Sequence, residues 1–93
     1  MNFEQALREQ LEATADLRRR GKKILAILNA RPSKRRTRQI DRMERHVVAH
    51  LGSDYFGPDP DPIMVGIDWS SIDWSAVLQV ILKLLLALLP FIL

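Results

Sequence analysis

Apolar or small side chains recur along the first thirty residues at the period of an amphipathic helix. The positions are spaced by three and four, and they are Phe3, Leu7, Leu11, Thr14, Leu17, Gly21, Ile24, Leu25 and Leu28. This spacing predicts one helix over residues 3–30. Asn2 and Gln5 predict its capping box, and Gly21, which weakens a helix interior, predicts a bend or a close packing contact.

A second helix follows a break at Arg31-Pro32-Ser33. A residue before proline disfavours the α conformation, and the serine can cap the helix that follows. The pattern predicts a helix over residues 34–51 that stops at Gly52, with one apolar face made by Ile40, Met43, Val47 and Leu51. The two helices predict an αα-hairpin over residues 1–51, which we call the head.

The next segment, residues 52–71, is called the neck, and its composition resists both helix and sheet. Gly57-Pro58-Asp59-Pro60-Asp61-Pro62 alternates proline with aspartate. This alternation favours extended polyproline II geometry, at about 3 Å per residue. The neck is therefore predicted to be an acidic spacer.

One four-residue motif occurs twice, as Ile67-Asp68-Trp69-Ser70 and as Ile72-Asp73-Trp74-Ser75. A shift of five residues turns about 140° around a helix, so the two tryptophans would not share a face. We predict the first copy in a turn and the second at a helix start, with Ser70 and Asp73 as a capping box. The indoles either lie at a membrane boundary or pack between the neck and a neighbouring helix.

Residues 72–93, the tail, are almost wholly aliphatic from Ala76 onwards. If the tail is one helix, its polar or small positions are spaced by three and four and form one narrow stripe: Asp73, Ala76, Gln79, Lys83, Ala87 and Pro90. The remaining surface is apolar. We therefore expect this helix to be buried nearly all round.

Three environments fit such a helix. In a membrane, the stretch from Ala76 to Leu93 would span about 27 Å, just short of a hydrocarbon core of about 30 Å. In an assembly, the tail would lie in a groove of a larger complex or against other copies of the chain. In a monomer it would fold back onto the head, which could cover only part of it. The residues predicted to contact a membrane or partner are Trp69, Trp74, Val77, Ile81, Lys83, Leu84, Leu85, Leu88 and Phe91.

Charge is segregated along the chain. The head has thirteen Lys or Arg against six Asp or Glu, residues 52–73 have five Asp and no base, and Lys83 adds one positive charge. A basic head is expected to attract nucleic acid, acidic lipid or an acidic protein face, and the alternative is an ordinary solvated helix surface. The predicted contacts with an anionic surface are Arg18, Arg19, Arg20, Lys22, Lys23, Lys34, Arg35, Arg36 and Arg38.

The residues offer little catalytic or metal chemistry. The sequence has no cysteine, which removes disulfides and thiolate metal sites. His46 and His50 have the spacing of two metal ligands on a helix, but only Asp54 is a conceivable third ligand, so surface histidines are the simpler interpretation. We predict no enzyme activity, no cofactor and no metal site. The polar N-terminus lacks a signal-peptide pattern, so we expect synthesis in the cytoplasm.

The sequence thus predicts an all-α protein with a basic helical hairpin at residues 1–51, an acidic linker at 52–71 and a hydrophobic helix at 72–93. Its predicted function is that of a small structural or assembly protein. The tail would insert into a membrane or a larger particle, such as a virion, while the head contacts an anionic surface or a neighbouring subunit. We expect a homo-oligomer or a subunit of a complex. Two alternatives stay open: a membrane-permeabilising protein, similar in layout to lysis proteins and toxins, and a nucleic-acid-binding helical module.

Overall fold

The computed structural model describes residues 1–52 and 67–93, and within these ranges it contains helices and no strand. The helices are α1 (Phe3–Glu12), α2 (Ala15–Arg20), α3 (Lys22–Leu28), α4 (Lys34–Leu51), a 3-10 turn (Trp69–Ser71) and α5 (Trp74–Ile92). The all-α prediction is confirmed. The predicted polyproline spacer at residues 57–62 lies outside the described residues.

The prediction of a single helix over residues 3–30 is wrong, because the chain leaves the helical path at Thr14. The backbone of Thr14 is extended, with φ −135° and ψ 158°. Its hydroxyl accepts a hydrogen bond from the Leu17 amide at 3.1 Å and so caps α2. Threonine competes with the helix for backbone groups in this way and favours caps over helix interiors. The spacing placed Thr14 on an apolar face, but the residue is exposed.

A second break lies at Gly21, between α2 and α3. A Cβ atom at this position would lie 2.9 Å from Cδ2 of Leu11 and 3.1 Å from the carbonyl oxygen of Leu17. Leu11 is fully buried, so it has little room to move away. The expected bend and close contact at Gly21 are confirmed, and they let α3 pack against α1.

The other predicted ends of the head helices are confirmed. The Gln5 amide donates to Oδ1 of Asn2 at 2.9 Å while the Asn2 amide donates to Oε1 of Gln5 at 3.2 Å, which completes the capping box of α1. At α4 the Arg36 amide donates to Oγ of Ser33 at 3.0 Å. The helix ends at Gly52, whose φ of 61° is a conformation that glycine adopts without strain.

The repeated motif lies where it was predicted, but with different caps. The first copy forms the 3-10 turn, in which the amide and hydroxyl of Ser70 donate to Oδ1 of Asp68 at 3.0 and 2.6 Å. The predicted capping box of Ser70 with Asp73 is therefore wrong, since the serine is already bonded to Asp68. Asp73 precedes α5 without a side-chain cap, and its carboxylate accepts from the hydroxyl of Ser75 at 2.6 Å.

The tail folds back onto the head, which is the third of the environments considered above. Helix α5 contacts both α3 and α4. Its buried side faces one continuous apolar core with α1, α3 and α4, and it consists of Trp74, Val77, Leu78, Ile81, Leu82, Leu85, Leu89 and Ile92. The hydrophobic tail is thus a structural part of the helical bundle.

Replacing Ile81 with alanine should test this packing. Ile81 is fully buried, so Ile81→Ala is expected to lower the free energy of unfolding by about 2–5 kcal/mol. Val80 is the matched control on the same helix, since it is 47% exposed and Val80→Ala should change stability by less than about 0.5 kcal/mol. Urea unfolding followed by far-UV circular dichroism measures both. Equal effects at the two positions would contradict the packing of α5 on the head.

Candidate binding surface

The polar and small stripe predicted on the tail faces solvent at every position, from Asp73 to Pro90. Large apolar side chains flank it. Five large apolar residues are exposed within the described ranges, and all but Met1 lie at α5: Val80 (47%), Leu86 (37%), Phe91 (75%) and Leu93 (60%). We call this surface, made by residues 76, 79, 80, 83, 86, 87, 90, 91 and 93, the outer face of α5.

The residues predicted to contact a membrane or partner are divided between the two sides of this helix. Five of them are buried against the head: Trp69, Trp74, Val77, Ile81 and Leu85. Leu84 and Leu88 are half-buried, while Lys83 and Phe91 are exposed. A partner of the folded protein can therefore contact Lys83, Leu84, Leu88 and Phe91, but not the five buried residues. Sequence reasoning missed Val80, Leu86 and Leu93, which a helical projection centred on Lys83 would have placed on the outer face.

Both tryptophans belong to the core. The ring of Trp69 contacts the ring of Phe3 edge-on, with 4.9 Å between centroids, and lies 6.2 Å from the ring of Trp74. Nε1 of Trp69 donates to Oε2 of Glu44 at 2.6 Å, and Nε1 of Trp74 donates to the carbonyl oxygen of Trp69 at 2.8 Å. Because both indole N–H groups have partners inside the protein, the rings join the start of α5 to α1 and α4.

Glu44 is half-buried beneath Trp69. Burial raises the pKa of this carboxyl from its ordinary value of 4.5, the hydrogen bond from Trp69 lowers it, and the charges of Asp41 and Arg45 have smaller, opposed effects. Since the net shift is upward, the stabilisation from a neutral Glu44 is fully present below the pKa that Glu44 has in the unfolded chain. This stabilisation is lost as the pH rises through the pKa that Glu44 has in the folded protein.

Most of the predicted anionic-surface contacts are exposed, and Arg36 is the exception. Its side chain is 15% exposed, and Nη2 lies 2.8 Å from Oε1 of Glu4 and donates to the carbonyl oxygen of Leu28 at 2.8 Å. Arg8 donates to the same carbonyl. In this fold Arg36 therefore ties α4 to α1 and to the end of α3, so its charge is already paired inside the protein.

The exposed bases differ in how far they are paired. Arg19 and Arg20 lie 2.7 and 3.7 Å from the carboxylate of Asp16, and Arg18 donates to the carbonyl oxygen of Glu12. Arg20 also donates to Oε1 of Gln79 at 2.8 Å, which links α2 to α5. Five other predicted anionic-surface contacts make no ion pair within residues 1–52 and 67–93: Lys22, Lys23, Lys34, Arg35 and Arg38.

Two grooves beside α5 combine apolar walls with basic side chains. The first lies between α2 and the outer face and is lined by Arg20, Gln79, Val80, Leu82, Lys83 and Leu86. The second lies at the far end of α5 and is lined by Lys23, Ala26, Ile27, Ala30, Ser33, Arg35, Arg36, Gln39 and Leu93. Among residues 1–52 and 67–93, no acidic side chain lines either groove.

The two histidines stand together on α4, with 4.3 Å between ring centroids. Burial and then the neighbouring His50 lower the pKa of His46. No group of three His, Cys, Asp or Glu that could hold a metal occurs in the described part of the chain. The conceivable third ligand, Asp54, lies outside the described residues.

Comparison of the chain with protein-family models, with curated proteins and with solved structures gives no significant match.

The internal role of Arg36 predicts a loss of stability when its charge is removed. Arg36→Gln leaves Glu4 without its closest cation and Leu28 without one of its donors, so we expect the free energy of unfolding to fall by about 1–3 kcal/mol. Arg38→Gln is the matched control, because Arg38 is exposed and should cost less than about 0.5 kcal/mol. Urea denaturation gives both values, and indistinguishable midpoints would show that Arg36 is only a surface charge.

Proposed function

We propose that the protein is a non-enzymatic, membrane-associated component that docks on an anionic bilayer through the outer face of α5. The observation that carries the proposal is the grouping of four exposed apolar side chains, Val80, Leu86, Phe91 and Leu93, at a helix that contains no acidic residue. An exposed apolar patch of this kind is typical of a site that binds a membrane or another protein.

The charges near the outer face favour an anionic membrane. Lys83 lies within the patch, and Arg20 and Lys23 line the grooves beside it. A basic side chain close to an anionic bilayer contributes about 1 kcal/mol of attraction. Lys83 can also bury its aliphatic stem among apolar neighbours while its ammonium group reaches lipid phosphates.

Helix α5 is itself long and apolar enough to cross a membrane, by length and composition. The core helix of a soluble protein meets the same criterion, but such a helix is mostly buried, whereas less than half of α5 is buried in this fold. The apolar side chains of α5 that remain exposed support contact of this helix with the surface of a membrane.

Docking at the surface requires less rearrangement than insertion. Complete insertion would break the hydrogen bond of Gln39 to Ile92 and remove Ile81 and Leu85 from the core shared with the head. It would also bring Lys83 near mid-span, at a cost of about 2.5–3.5 kcal/mol. Docking through the outer face keeps these core contacts intact, so the proposed complex retains the folded bundle.

Vesicle co-sedimentation tests the proposal. We expect the protein to bind vesicles that contain phosphatidylserine, to bind phosphatidylcholine vesicles less, and to be released by salt. Phe91→Ser should weaken binding about tenfold or more, because burying this ring contributes about 1.5–3 kcal/mol. Phe91→Leu is the matched control and should retain most of the binding.

Other results of these binding experiments would contradict docking or favour one of the alternative hypotheses. Equal binding by wild type and Phe91→Ser, or none by either, would contradict docking through the outer face. Retention in membranes after a carbonate wash would replace docking by insertion, and a soluble oligomer that hides Phe91 would favour the assembly hypothesis. Salt-sensitive binding to duplex DNA that Phe91→Ser retains and the Lys34→Gln/Arg38→Gln variant loses would favour the nucleic-acid hypothesis.

A further inference from the structure

The groove at the far end of α5 has the features of a small-molecule site. Its volume is about 480 Å³, within the range of about 300–1,000 Å³ that is usual for ligand pockets. Helix α3 and the turn after it supply Ala26, Ile27 and Ala30, and Leu93 lines it from the end of α5. Most of the wall is therefore apolar, and a bound molecule must bury an apolar part.

Two basic side chains of the groove have charge available for a ligand. Lys23 and Arg35 are exposed and make no ion pair in the described part of the chain. Arg36, the third base, already pairs with Glu4. The groove thus combines an apolar wall with two cations, which is complementary to one apolar chain that ends in one anionic head.

The polar side chains of the groove are occupied by structural contacts. Oγ of Ser33 accepts from the Arg36 amide, and Nε2 of Gln39 donates to the carbonyl oxygen of Ile92 at 3.0 Å. The second bond holds the end of α5 at the groove. These side chains therefore offer few hydrogen-bond partners to the backbone N–H and C=O groups of a bound peptide. A hydrocarbon chain has no such groups.

We propose that this groove binds one fatty acid, with its chain along Ala26, Ile27, Ala30 and Leu93 and its carboxylate between Lys23 and Arg35. The volume suits a single chain rather than the two chains of a phospholipid. Because Phe91 does not line the groove, this binding goes beyond the docking proposed above and does not depend on it.

Isothermal titration calorimetry of the full chain with dodecanoate, below its micelle concentration, tests the proposal. We expect one site per chain, with amide NMR shifts confined to α3, the start of α4 and the end of α5. Dodecanol keeps the chain without the charge, and acetate keeps the charge without the chain, so both should bind at least about fivefold more weakly. Equal binding of dodecanol, equal binding of acetate, or no binding of dodecanoate would each overturn the proposal.

Variants at exposed positions locate the site without disturbing the core. The Lys23→Gln/Arg35→Gln variant should weaken dodecanoate binding about fivefold or more, while the charge-matched Lys34→Gln/Arg38→Gln variant should not, since neither of its positions lines the groove. Ala26→Leu should fill the groove and weaken binding at least about tenfold. Equal affinities of the two charge variants would overturn the assignment, and so would unchanged binding by Ala26→Leu.

The same variants separate the two proposals. Phe91→Ser should reduce vesicle binding and leave dodecanoate binding intact, whereas Ala26→Leu should do the reverse. Loss of dodecanoate binding in Phe91→Ser would contradict a separate fatty-acid site. Membrane docking would still be tested by vesicle binding alone.

Discussion

Burial of one side of α5 on the head is the interaction on which the rest of the structure depends. Helix α5 packs against α4 and against α3, which has only seven residues and follows the six-residue α2. Isolated helices of fewer than about 12–15 residues are marginal in water, so these segments need tertiary contacts to persist. Helix α5 supplies such contacts through α3 and α4, and Trp69, packed between Phe3 and Trp74, joins its start to α1.

The same packing leaves the molecule with an unusual surface. The helix is apolar on nearly every side, and the bundle can cover only one of them. The chain turns its least apolar stripe, which includes Gln79 and Lys83, towards solvent, yet Val80 and Phe91 beside that stripe remain exposed. A folded bundle whose outer face carries exposed apolar side chains beside Lys83 is the basis of the proposed function.

Local signals along the sequence predicted the ends of several helices and the exposed stripe of the tail, but they did not predict contacts between residues distant in the chain. The caps at Asn2 and Ser33, the end of α4 and the solvent-facing stripe of the tail all depend on residues within a few positions of one another. The break at Thr14 was missed because the amphipathic spacing continues through it, whereas in the structure Thr14 leaves the helix and its hydroxyl caps α2. The internal role of Arg36 and the bond from Trp69 to Glu44 join residues 32 and 25 positions apart, and spacing carries no information about such pairs.

The most direct test of the central claim is the reactivity of thiols placed on the two sides of α5. The chain has no cysteine, so Val80→Cys and Ile81→Cys each introduce a single thiol, and a water-soluble maleimide reports its exposure. The structure predicts rapid labelling at position 80 and labelling at least about a hundredfold slower at position 81, because burial both blocks access and raises the thiol pKa. Urea should abolish the difference. Equal labelling rates in native buffer would contradict the account, because they would mean that the buried side of α5 is open to water.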